Sequence, residues 1–168
     1  MFKVGIITAS DKGSQGKRVD ISGQCIKDIM SKEGYNVEAY KIVPDEREEL
    51  SSTMIDMIDN LKMDLILTTG GTGFSPRDWT PEATLDVIDR QAPGIPEAMR
   101  AYSMKITPKA MLSRSIAGIR KSSLIINLPG SPKAVKENLE CILPALNHGL
   151  EILTGKASEC GSSIVEEK

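Results

Sequence analysis

The stretch Leu65-Ile66-Leu67-Thr68-Thr69-Gly70-Gly71-Thr72-Gly73 decides the fold that the sequence predicts. Its first five residues are apolar or β-prone, which predicts a strand covered on both faces, as in a parallel sheet between helices. The glycines that follow permit positive φ and let backbone amides approach an anion closely. The loop is therefore a candidate phosphate cradle, with a simple tight turn between strand and helix as the alternative.

The same alternation of strand and helix precedes this stretch. Residues 3–8 predict a first buried strand, and apolar residues at helical spacing predict a helix over residues 20–34. Residues 35–43 predict a second strand, after which Asp45 is expected to cap a second helix. Two strand–helix units therefore lead into the glycine-rich stretch.

The pattern continues after the glycines. Thr80 is expected to cap a helix that runs to about Arg90, and a further helix is expected from near Pro96. Residues 116–119 and 124–128 predict two short strands, and the tight connection between them implies an antiparallel pair.

Ser131 is expected to cap a last helix that is interrupted at Pro144 and ends near Gly155. No linker-like interval separates these elements. The sequence therefore predicts one α/β domain over residues 1–155, with three layers (α/β/α) and a mostly parallel sheet with one antiparallel strand. Residues 156–168 are expected to form a polar C-terminal tail.

Composition excludes several functional classes. The 168 residues carry 21 Lys and Arg against 23 Asp and Glu, a net charge of −2, and 4% aromatic residues, which argues against nucleic acid as a partner. No apolar run is long enough to predict a membrane span. The three cysteines are widely spaced and there is one histidine, so the sequence predicts no zinc site and a reduced, cytoplasmic protein.

In a sheet of this kind, ligands bind beyond the carboxyl ends of the strands. The loops expected there carry hydroxyls, an amide, acidic and cationic side chains and glycines, which can bind phosphate or orient a ligand. The candidate binding residues are Ser10, Asp11, Gly70, Gly71, Thr72, Gly73, Ser113, Arg114, Asn127, Pro129, Gly130 and Ser131.

Asp45 and Asp78 each follow a predicted strand or its glycine loop. One or two carboxylates beside phosphate oxygens are what Mg²⁺ takes in proteins, so the pair is a candidate catalytic and metal site. Helix capping is the alternative role for each carboxylate. Arg77 and Lys133 could supply positive charge to phosphoryl groups, with solvated side chains as the alternative. The Ser113 hydroxyl could donate to a phosphate and the Arg114 guanidinium could pair with it bidentately.

The longest motif is Thr68-Thr69-Gly70-Gly71-Thr72-Gly73-Phe74-Ser75-Pro76-Arg77-Asp78-Trp79-Thr80-Pro81-Glu82-Ala83-Thr84. It resembles the signature of the MogA/MoaB molybdopterin adenylyltransferases. Shorter matches support the resemblance, among them Thr8-Ala9-Ser10-Asp11 with Asp20-Ile21-Ser22-Gly23, Val43-Pro44-Asp45-Glu46, and Asn127-Leu128-Pro129-Gly130-Ser131-Pro132. The resemblance spans residues 3–155.

The resemblance implies a molybdopterin-binding fold, assembled as a homotrimer, that transfers AMP from MgATP to the terminal phosphate of molybdopterin. Adenylyl-molybdopterin then passes to a downstream molybdenum insertase, and pyrophosphate is released. Carried onto this chain, Asp45 and Asp78 match the two motif aspartates important for activity, and residues 70–73 and Ser113 match phosphate-contacting positions. The alternative is a protein of the same fold that binds molybdopterin without adenylylating it.

Overall fold

The computed structural model describes residues 1–156, which form a six-stranded sheet in the order β2-β1-β3-β6-β5-β4. The strands are β1 (Lys3–Ala9), β2 (Asn36–Val43), β3 (Leu65–Thr69), β4 (Arg90–Gln91), β5 (Ala117–Arg120) and β6 (Ser123–Leu128). β1, β2, β3 and β6 are parallel, and β5 runs antiparallel to both of its neighbours. The predicted sheet, mostly parallel with one antiparallel strand, is confirmed. All but one residue of the expected tail lie outside the described residues.

Helices cover both faces of this sheet. They are α1 (Asp11–Ser14), α2 (Ile21–Lys32), α3 (Arg47–Asp59), α4 (Thr80–Leu85), α5 (Gly94–Met104), a 3-10 helix (Pro108–Leu112) and α6 (Pro132–Leu153). Helices α2, α5 and α6 contribute to one hydrophobic core, and α3 and α4 contribute to the other. The three-layer prediction is therefore confirmed.

The strands divide their side chains between the two cores by simple alternation. Ile6 and Leu67 are buried against α2 and α6, whereas their chain neighbours Ile7 and Ile66 are buried in the core with α3. Successive side chains on a strand point to opposite faces, so a continuous apolar run fills both cores. Within residues 1–156, no helix is both long enough and apolar enough to cross a membrane.

Helix α4 is shorter than the sequence predicts, because it ends at Leu85 and not near Arg90. The N–H of Asp89 donates to the Ile119 carbonyl (2.7 Å) and the N–H of Ala92 donates to the Ala117 carbonyl (2.8 Å). Edge pairing along β5 thus makes the short strand β4 where periodicity predicted helix, a tertiary effect that local pattern does not contain.

Two predicted caps and one predicted break are also wrong. Glu46 is the N-cap of α3 and Trp79 is the N-cap of α4, and neither makes a side-chain cap hydrogen bond. The Asp45 carboxylate accepts a hydrogen bond from another loop, and Thr80 Oγ1 donates to the Gly70 carbonyl (2.9 Å). Helix α6 continues through Pro144, with Leu139, Ile142 and Leu146 buried around it.

Asn127 is part of the core, and its side chain makes its hydrogen bonds within the protein. The residue is 0% exposed. Its Nδ2 donates to Thr68 Oγ1 (3.0 Å) and Thr84 Oγ1 (2.9 Å), and its Oδ1 accepts from the Ile116 N–H (3.3 Å). The side chain of Asn127, a candidate binding residue in the sequence, thus uses its hydrogen-bonding groups inside the core. The amide joins β6 to β3, to α4 and to the segment before β5.

We expect Asn127→Ala to lower the free energy of unfolding by about 3 kcal/mol, because buried hydrogen-bonding groups lose their partners. Urea unfolding followed by far-UV circular dichroism measures this change. Asn147→Ala is the matched control, since Asn147 is exposed on α6 and binds only Glu151, and we expect a change within about 0.5 kcal/mol there. Equal losses in the two variants would contradict the structural role of Asn127.

Candidate active site

The carboxyl ends of β1, β2, β3 and β6 share one edge of the sheet, as the sequence predicts. Hydrogen bonds join the loops that follow these strands. The Ser10 N–H donates to the Val43 carbonyl (2.9 Å), and Thr69 Oγ1 donates to the Pro129 carbonyl (2.7 Å). Pro129 thus contributes its backbone oxygen to the scaffold that holds the loops together.

The glycine loop (residues 70–73) needs glycine for two reasons. Gly70 and Gly71 have φ values of +89° and +66°, the left-handed region that side chains disfavour. A Cβ on Gly70 would also lie 2.5 Å from the Ala9 carbonyl oxygen, and one on Gly130 would lie 3.4 Å from the Gly70 Cα. Thr72, the loop's one residue with a side chain, is buried. The loops after β1, β3 and β6 therefore meet backbone to backbone.

Asp11 and Asp45 hold the loops after β1 and β2 together. The Asp11 N–H donates to Asp45 Oδ2 (2.9 Å), and the Asp45 N–H donates to Asp11 Oδ1 (3.0 Å). Partial burial raises the pKa of Asp45, and the negative charges of Asp11 and Asp78 add to the rise. A carboxylate in this setting gains from a nearby cation.

Arg77 is bound by protein carboxylates. Its Nε and Nη2 donate to Asp11 Oδ2 (3.1 Å) and Oδ1 (2.8 Å), and Nη2 lies 2.7 Å from Glu46 Oε1. The hydrogen bonds from Arg77 lower the pKa of Asp11. Arg77 therefore ties its own loop to the Asp11–Asp45 pair, and both oxygens of Asp11 are already engaged.

Asp78 also lies beside the glycine loop, next to Gly73. Its Oδ2 accepts from the Ser75 N–H (3.0 Å) and would lie 3.0 Å from a Cβ on Gly73. Asp45 Oδ1 lies 3.5 Å from the corresponding position on Gly71. The two carboxylates thus flank the glycine loop, and within residues 1–156 neither Asp45 Oδ1 nor Asp78 Oδ1 accepts a hydrogen bond.

Arg114 has partners other than those the sequence suggested. Its Nε donates to the Gly73 carbonyl (2.7 Å), its Nη2 donates to the Asp78 carbonyl (2.6 Å), and its Nη1 pairs with Glu82. Three of the five guanidinium N–H donors of Arg114 therefore already bind protein groups.

Most of the remaining polar candidates have local partners. Ser10 Oγ accepts from Gly13 N–H and Ser131 Oγ from Ala134 N–H, so both serines cap helices, as predicted for Ser131. Ser113 Oγ donates to Ser115 Oγ (3.0 Å). The residue between these two serines, Arg114, donates its N–H to the Thr72 carbonyl, which places them beside the glycine loop. Lys133 is exposed and lies 3.9 Å from Glu137.

A cavity of about 470 Å³ opens beside the glycine loop. It lies at the start of α2 and against the loops after β1, β3 and β6. Its lining includes Thr8, Ser10, Arg18, Asp20, Gly70 and Gly130. Ser10, Gly70 and Gly130 therefore line a space large enough for a small organic ligand, whereas Asp45 and Asp78 are not among its lining residues.

Three lining residues are absent from the sequence-based candidates. Thr8 Oγ1 is buried without a hydrogen bond from residues 1–156, Asp20 caps α2 at the cavity, and Arg18 is the one cationic side chain in the lining. The Tyr40 hydroxyl donates to Asp20 Oδ2 (2.5 Å). The pKa of Tyr40 is raised, mainly by burial and secondly by this hydrogen bond. Thr8 and Asp20 belong to the Thr8–Asp11 and Asp20–Gly23 motifs, which could have identified these two residues from the sequence.

A parallel sheet that brings a glycine loop and two carboxylates to its carboxyl edge is typical of α/β domains that bind phosphorylated ligands. The family model described as "Probable molybdopterin binding domain" matches residues 5–148. This chain belongs to that family.

Named relatives agree over most of the chain. It is 45% identical over 154 residues to a molybdopterin adenylyltransferase of Helicobacter pylori (strain J99), covering 90% of this chain and 88% of the relative. The corresponding Escherichia coli K12 protein is 39% identical over 147 residues, covering 86% and 75%. The crystal structure of the molybdopterin biosynthesis enzyme MoaB of Thermus thermophilus superposes with a TM-score of 0.87 at 48% identity, covering 92% and 98%.

We expect Gly70→Ala to lower the free energy of unfolding by about 2–4 kcal/mol, from left-handed strain and from the clash with the Ala9 carbonyl. Gly149→Ala is the matched control, because Gly149 lies in α6 with open space where a Cβ would stand, and alanine there should stabilise the helix by up to about 1 kcal/mol. Thermal unfolding of both variants measures the difference. A neutral Gly70→Ala would contradict the close approach of the two loops.

Proposed function

We propose that this chain is a molybdopterin adenylyltransferase: it transfers AMP from ATP to the terminal phosphate of molybdopterin and releases pyrophosphate. The observation that carries the proposal is that Asp45 and Asp78 both lie beside the glycine loop, each with one oxygen free of hydrogen bonds from the described residues. The names of relatives at 39–45% identity support the same activity.

In the reaction, a phosphate oxygen of molybdopterin attacks the α-phosphorus of ATP, and the bond from that phosphorus to the oxygen bridging the α- and β-phosphates breaks. The nucleophile belongs to the substrate, so the protein has to align the two phosphates and offset their charge. Backbone amides of the glycine loop can contact the phosphates closely, because Gly70, Gly71 and Gly73 have no Cβ to block the approach.

Mg²⁺ is part of the proposal. Within the described residues, no group of three or more acidic, His or Cys side chains is arranged to hold a metal ion, but Mg²⁺ beside nucleotides needs only one or two carboxylates. Asp45 and Asp78 fit this role because one oxygen of each remains available and partial burial makes the charge of Asp45 costly without a cation. The bound ion would neutralise phosphate charge.

The first experiment adds molybdopterin and MgATP to the purified protein and measures pyrophosphate release. We expect release that depends on molybdopterin and ceases when the metal is chelated. Molybdopterin binding without pyrophosphate release would favour the alternative, a binding protein of the same fold. Release without molybdopterin would indicate ATP hydrolysis and contradict the proposal.

We expect Asp78→Asn to reduce the rate of pyrophosphate release by about 100-fold or more, since the amide keeps the side-chain shape without the charge that attracts a cation. Asp64→Asn is the matched control. Asp64 binds the Lys3 N–H at the amino end of β3, the opposite edge of the sheet, and its loss should leave the rate unchanged. Full activity in Asp78→Asn would contradict the role of this carboxylate.

The resemblance to the family also leads us to propose a cytoplasmic homotrimer that delivers its product to a molybdenum insertase. Size-exclusion chromatography with light scattering tests the assembly, and we expect a mass three times the 18.2 kDa of one chain. A monomer mass at micromolar concentration would contradict the trimer without affecting the proposed chemistry.

A further inference from the structure

The segment that carries Asp78 is exposed. From Phe74 to Arg77 every residue is exposed, and Phe74 is 70% exposed. Inside the segment, the Asp78 N–H donates to the Ser75 carbonyl and the Ser75 N–H to the Asp78 carboxylate. The Arg77 N–H also donates to Ser75 Oγ (3.3 Å), and the Arg77 guanidinium binds Asp11 and Glu46. None of these contacts engages the backbone carbonyls at the two ends of the segment, those of Gly73 and Asp78.

One guanidinium holds both ends of this segment. Arg114 Nε binds the Gly73 carbonyl at 2.7 Å and Arg114 Nη2 binds the Asp78 carbonyl at 2.6 Å, while the Arg114 N–H binds the Thr72 carbonyl at 2.9 Å. The guanidinium is planar and its donors have a fixed spacing, so the two carbonyls are held at a set separation.

The Arg114 clamp, meaning its guanidinium bound to the Gly73 and Asp78 carbonyls, is itself held by two other residues. Arg114 Nη1 pairs with Glu82 of α4, whose Oε2 is buried without a hydrogen bond from the described residues. Arg100 Nη1 donates to the carbonyls of Ser113 (3.4 Å) and Ser115 (2.8 Å), the residues on either side of Arg114. The orientation of Arg114 therefore follows from packed elements and is passed to the exposed loop.

We propose that Arg114 is a positioning residue for Asp78: it acts through the Gly73 and Asp78 carbonyls to set where the Asp78 carboxylate stands. Arg114 makes no contact with the reacting atoms in this role. The inference rests on the proposed adenylyl transfer for its kinetic consequence, but the positioning itself is a property of the loop.

Arg114→Lys tests the clamp, because lysine keeps the positive charge but lacks the two guanidinium N–H donors that bind the Gly73 and Asp78 carbonyls. We expect adenylyl transfer to fall about tenfold through loss of the two carbonyl hydrogen bonds. Arg120→Lys is the matched control. Arg120 likewise bridges a carboxylate, Asp59, and a carbonyl, that of Val87, but lies at the other end of α4. We expect Arg120→Lys to lose comparable stability and to keep transfer within about twofold of wild type.

A double-mutant cycle separates positioning from direct phosphate binding. Asp78→Asn keeps the backbone carbonyl that Arg114 binds and removes the charge that the clamp positions. If Arg114 acts through Asp78, adding Arg114→Lys to Asp78→Asn changes the residual rate by less than about twofold. A further tenfold loss in the double variant would overturn the proposal, because Arg114 would then act on the substrate independently.

Fluorescence quenching of Trp79 tests the positioning role without an activity assay, so the test also works if the proposed function is wrong. Trp79 is the only tryptophan, follows Asp78 and is 37% exposed. We expect Arg114→Lys to raise acrylamide quenching of Trp79 fluorescence about twofold, and Arg120→Lys to leave it unchanged. If the wild type transfers no AMP, the adenylyltransferase proposal fails, and the quenching experiment alone tests whether Arg114 positions the loop that carries Asp78. Unchanged quenching in Arg114→Lys would overturn the positioning role in either case.

Discussion

The close approach of Gly70 to the Ala9 carbonyl is the constraint on which the site depends. A Cβ at Gly70 would lie 2.5 Å from that oxygen, and a Cβ at Gly130 would lie 3.4 Å from the Gly70 Cα. Strands β1, β3 and β6 are adjacent and parallel, so the loops at their carboxyl ends would meet at any rate. Without side chains at the contact, however, three backbones can surround one small volume.

Charge in this volume is distributed unevenly. Asp11, Asp45, Glu46 and Asp78 bring four carboxylates to the loops around the glycines, and Arg77 pairs with Asp11 and Glu46. Asp45 and Asp78, the two carboxylates beside the glycine loop, lack such an ion pair among residues 1–156. The arrangement leaves negative charge where a divalent cation with its phosphates would offset it, which agrees with the proposed function.

The sequence was sufficient for the strands, the layers and the edge at which the loops meet, because buried runs and glycine turns are local signals. It was insufficient where a side chain has a distant partner. Asp45 was expected to cap a helix, but its carboxylate binds the Asp11 N–H, 34 residues away in the chain. Asn127 stands at a strand end, yet its amide fills hydrogen bonds inside the core. Strand β4 exists only because β5 offers it an edge.

The chemistry proposed here makes no demand for a protein base, and the chain provides little that could serve as one. Its one histidine, His148, is exposed on α6, 17 residues beyond the cap Ser131 and so about 25 Å along the helix from the site. When the substrate supplies the nucleophile, catalysis by the protein reduces to placing charges and amides. Residues that hold loops in place then affect the rate as directly as residues that touch the ligand. Arg114, which reaches two carbonyls and a carboxylate of its own chain, belongs to the first kind.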